Sequence, residues 1–198
     1  FDDGYLDNYL EAFPLLKKHQ LPAVFYLATE FVGSDHLPWW DEIAYLLRYS
    51  QGHTYQNPGS QTRYSLEQKK IDRNIQKIMS EAKLSRSHTI TQVLDDIRTK
   101  FPEAKAALSN EHPLFMDWHH AAEMIAQGME IGSHTNSHQI LSQLTDEEQR
   151  REILTSKAIL EDKLNNEINS IAYPVGRYHC YNETSFKYVK EAGYRVGF

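Results

Sequence analysis

The sequence predicts an α/β fold in which parallel β-strands alternate with α-helices. Short apolar runs such as 23–28 are separated by longer segments with helical periodicity. Three polar motifs each follow a predicted strand directly: Asp-Asp-Gly at 2–4, His-Thr-Asn-Ser-His at 134–138 and Tyr-Pro-Val-Gly at 173–176. Because α/β barrels keep their active sites at the carboxyl ends of their strands, we expect these motifs to share one rim.

The amino-terminal part predicts a strand end, a helix and a buried strand. Phe1-Asp2 is predicted to end a first strand, and residues 6–19 carry apolar side chains at near-helical spacing. Pro14 interrupts this spacing, so a kink or two short helices are expected. Residues 23–28 predict a buried parallel strand, and Asp41-Glu42 are predicted to open the next helix.

A helical insertion is predicted from about residue 50 to residue 112, within a single domain that spans residues 1–198. Asn57 to Ser60 predict a turn. Ser65 and Gln68 form a capping-box pattern ahead of two helical apolar faces. The excess of Lys and Arg in this segment indicates a solvated surface, with contact to an anionic glycan as the alternative.

The carboxyl-terminal part predicts two more strand–helix units and the start of another strand. A helix is expected from Trp118 until Gly128 ends it, and Thr145 with Glu148 forms a capping box for a long helix. The remaining predicted elements are strands at 129–133 and 171–173, a helix at 183–192 and a strand that begins within 193–198.

Composition excludes several classes of protein. The chain has 198 residues, 40% hydrophobic and 24% charged, which is ordinary for a globular domain. A net charge of −6 argues against nucleic acid as a partner, and no apolar run is long enough to span a bilayer. Cys180 is the single cysteine, so no intrachain disulfide forms. Because Phe1 begins within a motif, the sequence predicts a piece of a longer protein, with compartment and oligomeric state left open.

Two histidines four residues apart, His134 and His138, are candidate metal ligands. Residues i and i+4 share one face of a helical turn, so both imidazoles can bind one divalent cation. Asp2 and Asp3 are adjacent carboxylates, which repel each other unless a cation or a proton separates their roles. One Asp with two His would form an open site, but adjacent strand residues point in opposite directions. The residues alone leave open which Asp faces the metal.

Three ordered motifs resemble those of the polysaccharide deacetylases, which are NodB-like and chitin-deacetylase-like carbohydrate esterases. They are Phe-Asp-Asp-Gly-Tyr at 1–5, His-Thr-Asn-Ser-His at 134–138 and Ile-Ala-Tyr-Pro-Val-Gly-Arg-Tyr at 171–178. The resemblance covers about residues 1–40 and 114–198. It implies a distorted (β/α) barrel, of which this chain supplies a part, and a hydrolase that removes N-acetyl groups from amino sugars of a glycan.

The same resemblance assigns roles to individual residues. Asp3 would be the third metal ligand with His134 and His138, and Asp2 would be the general base, with the two aspartates exchanged as the alternative. The backbone N–H of Val175 would stabilise the oxyanion formed from the acetyl carbonyl. Zn²⁺ is the expected ion, and Co²⁺ and Ni²⁺ suit the same ligands.

Five further residues are predicted to contact the glycan, three of them in the third motif. They are Trp39, Trp40, Tyr173, Pro174 and Arg177. Aromatic faces stack on sugar rings, although core packing is the first expectation for at least one of the two tryptophans.

The sequence departs from the family pattern at three places. Ala172 stands where the family often has an arginine that orients the base, and Arg177 is a candidate substitute. Val175 replaces a frequent aromatic residue. No histidine near the end matches the family's later general acid.

Two other functions fit the same motifs. One is a related metal-dependent amidase that acts on a small cyclic amide or imide. The other is a carbohydrate-binding domain without catalysis. Asp2 distinguishes the second alternative, because a binding domain has no need for another carboxylate beside a metal ligand.

Overall fold

The computed structural model of the chain describes residues 1–57, 62–84, 87–108 and 114–198. The chain forms two compact units, one made of Phe1–His36 with Pro113–Phe198 and the other of Leu37–His112. All three predicted motifs lie in the first unit. The predicted insertion at about 50–112 falls in the second unit, which begins earlier, at Leu37.

The secondary structure alternates between strands and helices in the first unit, as the sequence predicts. The strands are β1 (Val24–Leu27), β2 (Thr54–Gln56), β3 (Arg63–Ser65), β4 (Glu130–Ser133), β5 (Ser170–Ile171) and β6 (Val196–Gly197). The α-helices are α1 (Phe13–Lys18), α2 (Trp39–Tyr49), α3 (Ile71–Leu84), α4 (Ser87–Lys100), α5 (Pro102–Leu108), α6 (Trp118–Ala126), α7 (Asp146–Leu164) and α8 (Glu183–Glu191). Among the described residues, no helix is both long enough and apolar enough to cross a bilayer.

A parallel sheet of four strands, in the order β1-β4-β5-β6, forms the centre of the first unit. The amino terminus lies beside β1, although Phe1-Asp2, predicted as the end of a strand, is not itself assigned to one. The Phe1 ammonium donates to the Val24 carbonyl at 3.0 Å, and the Tyr26 N–H donates to the Phe1 carbonyl at 2.8 Å. Because β1, β4 and β5 run in the same direction, the segments that follow Phe1, β4 and β5 meet at one edge of the sheet.

Apolar side chains of the strands and of the helices around them form the core of the first unit. Its members include Phe25, Leu27, Met124, Ile131, Ile153, Leu160 and Ile171. Full burial of one such side chain contributes about 1.5–3 kcal/mol relative to an exposed one. This packing gives the carboxyl edge of the sheet a rigid base.

Tight packing also explains a glycine in β4. Gly132 lies opposite Tyr26 of β1. A Cβ atom at this position would lie 2.3 Å from Cε1 of the Tyr26 ring. Glycine therefore lets the ring lie flat across the strand that leads into the His-Thr-Asn-Ser-His motif.

The long helix α7 begins at the predicted capping box. The Thr145 N–H donates to the Glu148 carboxylate at 2.8 Å, and the Glu148 N–H donates to the Thr145 hydroxyl at 3.4 Å. These reciprocal bonds satisfy two backbone donors that a helix start would otherwise leave unpaired. The cap fixes where α7 begins.

Pro14 lies in a stretch where a kink or two short helices are predicted, and the structure has two short helical segments there. It lies in the first turn of α1, where its missing N–H is tolerated. A π-helical turn, Asn8–Ala12, precedes α1 directly. The change of winding at Phe13, next to Pro14, divides the stretch into these two segments.

The second unit has its own core and includes a hairpin that the sequence analysis missed. Strands β2 and β3 pair antiparallel, with Tyr55 opposite Tyr64. The capping box predicted at Ser65 is wrong, because Ser65 pairs with Thr54 in the hairpin and α3 begins later. Of the turn predicted at Asn57 to Ser60, residues 58–60 lie outside the described part of the chain. Buried residues of α2, the hairpin and α3–α5 form the core, among them Ile43, Leu46, Leu47, Leu66, Ile75, Ile78, Val93 and Ile97.

Candidate active site

The first motif places Asp3 in a strained turn. The Gly4 N–H donates to the Asp2 carbonyl at 2.9 Å, across Asp3 with its φ of 71°. A bond between residues i and i+2 around a positive φ is typical of the rare γ-turn. Gly4 has a φ of 89° and lies against Leu27, so a side chain there would be strained. The turn separates the two aspartates: Asp2 is exposed, whereas the Asp3 side chain is 21% exposed.

His134 lies directly after β4 and is held from both neighbouring strands. Its N–H donates to the Leu27 carbonyl at 2.9 Å. Its ring Nδ1 lies 2.8 Å from the Ala172 carbonyl oxygen, which follows β5. The side chain is 3% exposed. The two contacts fix both the backbone and the ring orientation of His134.

The segment that follows is a loop, so the helical turn assumed for the two histidines is wrong. Thr135 and His138 both have positive φ, at 65° and 57°. The Thr29 N–H donates to the Thr135 carbonyl at 3.3 Å, and the Glu30 N–H donates to the Asn136 carbonyl at 2.9 Å. Left-handed backbone at both ends of the loop reverses the chain and returns His138 towards His134. The imidazoles meet through this reversal and not through helical periodicity.

Asp3, His134 and His138 converge on a small volume at the sheet edge. Asp3 Oδ1 lies 3.5 Å from His134 Nε2 and 3.1 Å from His138 Nε2. One ligand atom from each residue lies within 4.8 Å of the others, and no second group of this kind occurs among the residues that the structure describes. Both imidazoles are largely buried, at 3% and 15% exposed.

The hydrogen bond between His134 and Ala172 indicates that the triad is suited to bind a cation. A carbonyl oxygen only accepts, so Nδ1 carries the hydrogen and donates it. In the neutral ring, Nε2 then presents its lone pair towards the Asp3 carboxylate. Two electron-rich atoms at 3.5 Å repel each other unless a positive charge lies between them. Orientation of a ligand histidine by a backbone carbonyl is also typical of metal sites.

Burial lowers the pKa of His134, and the neighbouring His138 lowers it further, while the charge of Asp3 acts in the opposite direction. The imidazole therefore remains neutral further into the acidic range than an ordinary histidine. Neutral imidazole is the form that binds a metal ion.

Asp2 lies outside the triad but within its electrostatic range. Its charge is among the influences that raise the pKa of His134, although burial outweighs it. Its carbonyl accepts hydrogen bonds from the Gly4 N–H and, at 3.2 Å, from the Asn8 side chain. The carboxylate itself is exposed. Of the two aspartates, the geometry therefore favours Asp3 as the one that faces the histidines.

The third motif forms a strained turn that presents Val175. Pro174 and Val175 occupy the central positions, and the Gly176 N–H donates to the Tyr173 carbonyl at 2.9 Å. Proline followed by a positive φ, here 70° at Val175, is typical of a type II turn. A β-branched residue with positive φ is an outlier, and such outliers cluster at functional sites. Within the described residues, the Val175 N–H donates to no backbone acceptor.

The other predicted substrate contacts of this motif differ in exposure. The Tyr173 ring is 6% exposed and stacks on Tyr181 at 4.5 Å, so most of it belongs to the core. Pro174 is also buried, whereas Arg177 is exposed. Arg177 is therefore the most accessible of the three to a ligand. Contact between these residues and a substrate stays a prediction.

Trp39 and Trp40 begin α2 and belong to the second unit. Their rings meet edge to face at 5.6 Å, and both are half-buried. Trp39 packs against the core of this unit, and each indole keeps an accessible part. Their predicted role in glycan binding stays a prediction.

Glu152 is the functional candidate that the sequence analysis missed. It lies on α7, is 6% exposed, and its carboxylate accepts hydrogen bonds from the loop between Thr135 and His138. A glutamate within a charged helix normally predicts a solvated side chain. Only the fold shows that this one turns inward.

Two imidazoles and a carboxylate, with coordination positions left open, are typical of catalytic zinc sites. Their place at the carboxyl edge of a parallel sheet is typical of α/β enzymes. The chain belongs to the polysaccharide deacetylase family, whose model it matches over residues 1–91 and 90–197.

Relatives and solved structures agree with this family. The chain is 24% identical over 197 residues to "Putative polysaccharide deacetylase YxkH" of Bacillus subtilis (strain 168), covering 100% of this chain and 42% of the relative. Its fold is similar to that of the Streptococcus pyogenes deacetylase PplD, at 21% identity and a TM-score of 0.56, over 100% of this chain and 52% of that one. It is also similar to that of IcaB from Ammonifex degensii, at 18% identity and a TM-score of 0.56, over 100% of this chain and 57% of that one. The chain thus carries the α/β fold of these distorted barrels and spans about half the length of such relatives.

Proposed function

We propose that the chain carries the catalytic centre of a metal-dependent hydrolase that removes N-acetyl groups from amino sugars of a glycan. One observation carries the proposal most directly: Asp3 Oδ1 converges with the Nε2 atoms of His134 and His138 at a sheet edge. Membership of the polysaccharide deacetylase family supports the substrate class.

Asp3, His134 and His138 would hold one divalent ion. Two nitrogen ligands and one oxygen ligand suit Zn²⁺ best, and Co²⁺ and Ni²⁺ are accepted by the same donors. The bound ion would polarise the acetyl carbonyl and lower the pKa of a water molecule. The low exposure of both imidazoles, at 3% and 15%, strengthens the electrostatic interactions that they make.

Asp2 is the proposed general base. Hydrolysis of the amide forms a carbon–oxygen bond, breaks the carbon–nitrogen bond and moves a proton from water to the leaving amine. Asp2 would accept this proton first, because it is exposed to solvent, adjacent to Asp3 and within electrostatic range of His134. The strained turn at Asp3 lets the two neighbouring carboxylates take different roles.

Val175 is proposed to supply a hydrogen-bond donor to the oxyanion. Its N–H lies in a turn closed by the bond between Gly176 and Tyr173, so its direction is fixed before substrate binds. A fixed donor needs no reorganisation during the reaction. The positive φ of Val175 is the local strain that accompanies this orientation.

Acetate release tests the proposal. The protein, loaded with Zn²⁺, is expected to release acetate from oligomers of N-acetylglucosamine. Removal of the metal by a chelator should abolish the release, and addition of Zn²⁺ should restore it. Fully deacetylated glucosamine oligomers serve as the control substrate. Acetate release that is unchanged in the metal-free protein would contradict the proposal.

A further inference from the structure

A buried carboxylate on α7 contacts the loop that carries the second histidine. Glu152 Oε2 accepts hydrogen bonds from the Asn136 N–H at 3.0 Å and from the Ser137 N–H at 2.8 Å. Its Oε1 accepts a third bond, from the Ser137 hydroxyl, at 2.6 Å. With 6% exposure, the side chain is shielded from water, so the loop supplies the bonds that water would otherwise make.

We infer that Glu152 is a positioning residue of the candidate metal site, acting through the loop backbone on His138. This inference rests on the proposed function, because it concerns affinity for the ion held by the triad. Since the oxygens of Glu152 already accept three loop donors, Glu152 is not itself a proposed ligand.

The loop requires such an anchor because its conformation is strained. Thr135 and His138, on either side of the two residues that Glu152 binds, both have positive φ. Strained backbone of this kind persists when the surroundings over-determine it. Hydrogen bonds to an ionised carboxylate are roughly twice as strong as neutral ones. Glu152 therefore contributes strong, directional bonds where the chain must reverse.

The opposite side of the loop is anchored separately. Asn136 Oδ1 accepts from the Thr29 hydroxyl at 2.9 Å, and the Asn136 carbonyl accepts from the Glu30 N–H at 2.9 Å. Ser137 lacks these contacts and has its described anchors in Glu152 and in Gln139, which donates to its hydroxyl. Because Ser137 directly precedes His138, loss of Glu152 should affect His138 most.

His134 provides an internal comparison. Its backbone and ring are fixed by Leu27 and Ala172, whereas the described hydrogen bonds of Glu152 go to Asn136 and Ser137. Removal of the Glu152 charge should therefore leave one imidazole in place and loosen the other. The expected result is weaker binding of the metal ion, with His134 still in place and the fold retained.

The test compares Glu152→Gln with Glu148→Gln. Glu148 lies on the same helix and also accepts a backbone N–H, that of Thr145, but has no described bond to the loop. Zn²⁺ affinity is measured by competition with a chromophoric chelator, and the visible spectrum of the Co²⁺ form reports the ligand set. Glu152→Gln should weaken Zn²⁺ binding by roughly 10- to 100-fold, as loss of groups that orient metal ligands does elsewhere. It should also alter the Co²⁺ spectrum, while Glu148→Gln should change neither.

A purely structural role for Glu152 would lower the melting temperature of the metal-free protein but leave the Zn²⁺ affinity and the Co²⁺ spectrum of the folded protein unchanged, which would overturn the inference. Equal weakening of Zn²⁺ binding by Glu148→Gln would also overturn it.

If Glu152→Gln fails to fold, Ser137→Ala serves as a second variant. It removes a single bond to Glu152 and should weaken Zn²⁺ binding to a smaller extent. Unchanged affinity would again overturn the inference. A wild-type protein that binds no Zn²⁺ would refute the proposed function itself, and the inference with it.

Discussion

Replacing Asp2 by Asn is expected to slow acetate release by roughly 10²–10⁴-fold, the usual contribution of a positioned general base. Asparagine has nearly the same shape as aspartate but cannot accept the proton. Because Asp2 is exposed and lies outside the triad, neither folding nor metal content should change. The measurement is the rate of acetate release at saturating substrate, with metal content determined on the same samples.

The neighbouring residue provides the matched control. Asp3→Asn removes the carboxylate that faces both histidines, so it should lower metal content as well as activity. A wild-type rate for Asp2→Asn, with metal retained, would show that Asp2 is not the base. If neither the wild type nor this variant releases acetate while both bind the glycan equally, the chain is a carbohydrate-binding domain.

Replacing His138 by Ala should weaken Zn²⁺ binding by more than about 100-fold. The loss of a direct ligand should exceed the 10- to 100-fold effect of losing a residue that only orients one. Asp3 and His134 alone would leave an incomplete ligand set. The measurement is elemental analysis after dialysis, together with chelator competition for the affinity.

His119→Ala is the control for His138→Ala. His119 is an exposed histidine on α6 and is not a member of the triad. Its removal should leave the metal content unchanged. Equal metal loss in both variants would indicate nonspecific binding by surface histidines, and full retention of metal by His138→Ala would exclude His138 as a ligand.

The four strands of the parallel sheet were predictable along the chain because they follow from local patterns. Buried parallel strands are short apolar runs, and 23–28 became β1 with little change in its bounds. The capping box at Thr145 also depends on neighbouring residues alone, and it was confirmed. By contrast, the pattern at Ser65 is also of the capping-box type, but pairing of β3 with β2 took precedence over the cap.

The candidate site was only partly predictable. Residue chemistry and the family resemblance selected Asp3, His134 and His138, and the structure brings these three together. Without the resemblance, the residues alone could not choose between Asp2 and Asp3, because the choice depends on the positive φ of Asp3. Nor could it find Glu152, whose role depends on α7 packing beside a loop 15 residues earlier in the chain. Such contacts between distant segments leave no periodic signal.

Anomalous X-ray diffraction from crystals of the zinc-loaded protein tests the central claim most directly. Data collected on both sides of the zinc absorption edge should give one strong difference peak per chain, surrounded by Asp3 Oδ1, His134 Nε2 and His138 Nε2. The absence of a peak there at saturating Zn²⁺, or a peak bound by other side chains, would contradict the assignment of this triad as the metal site.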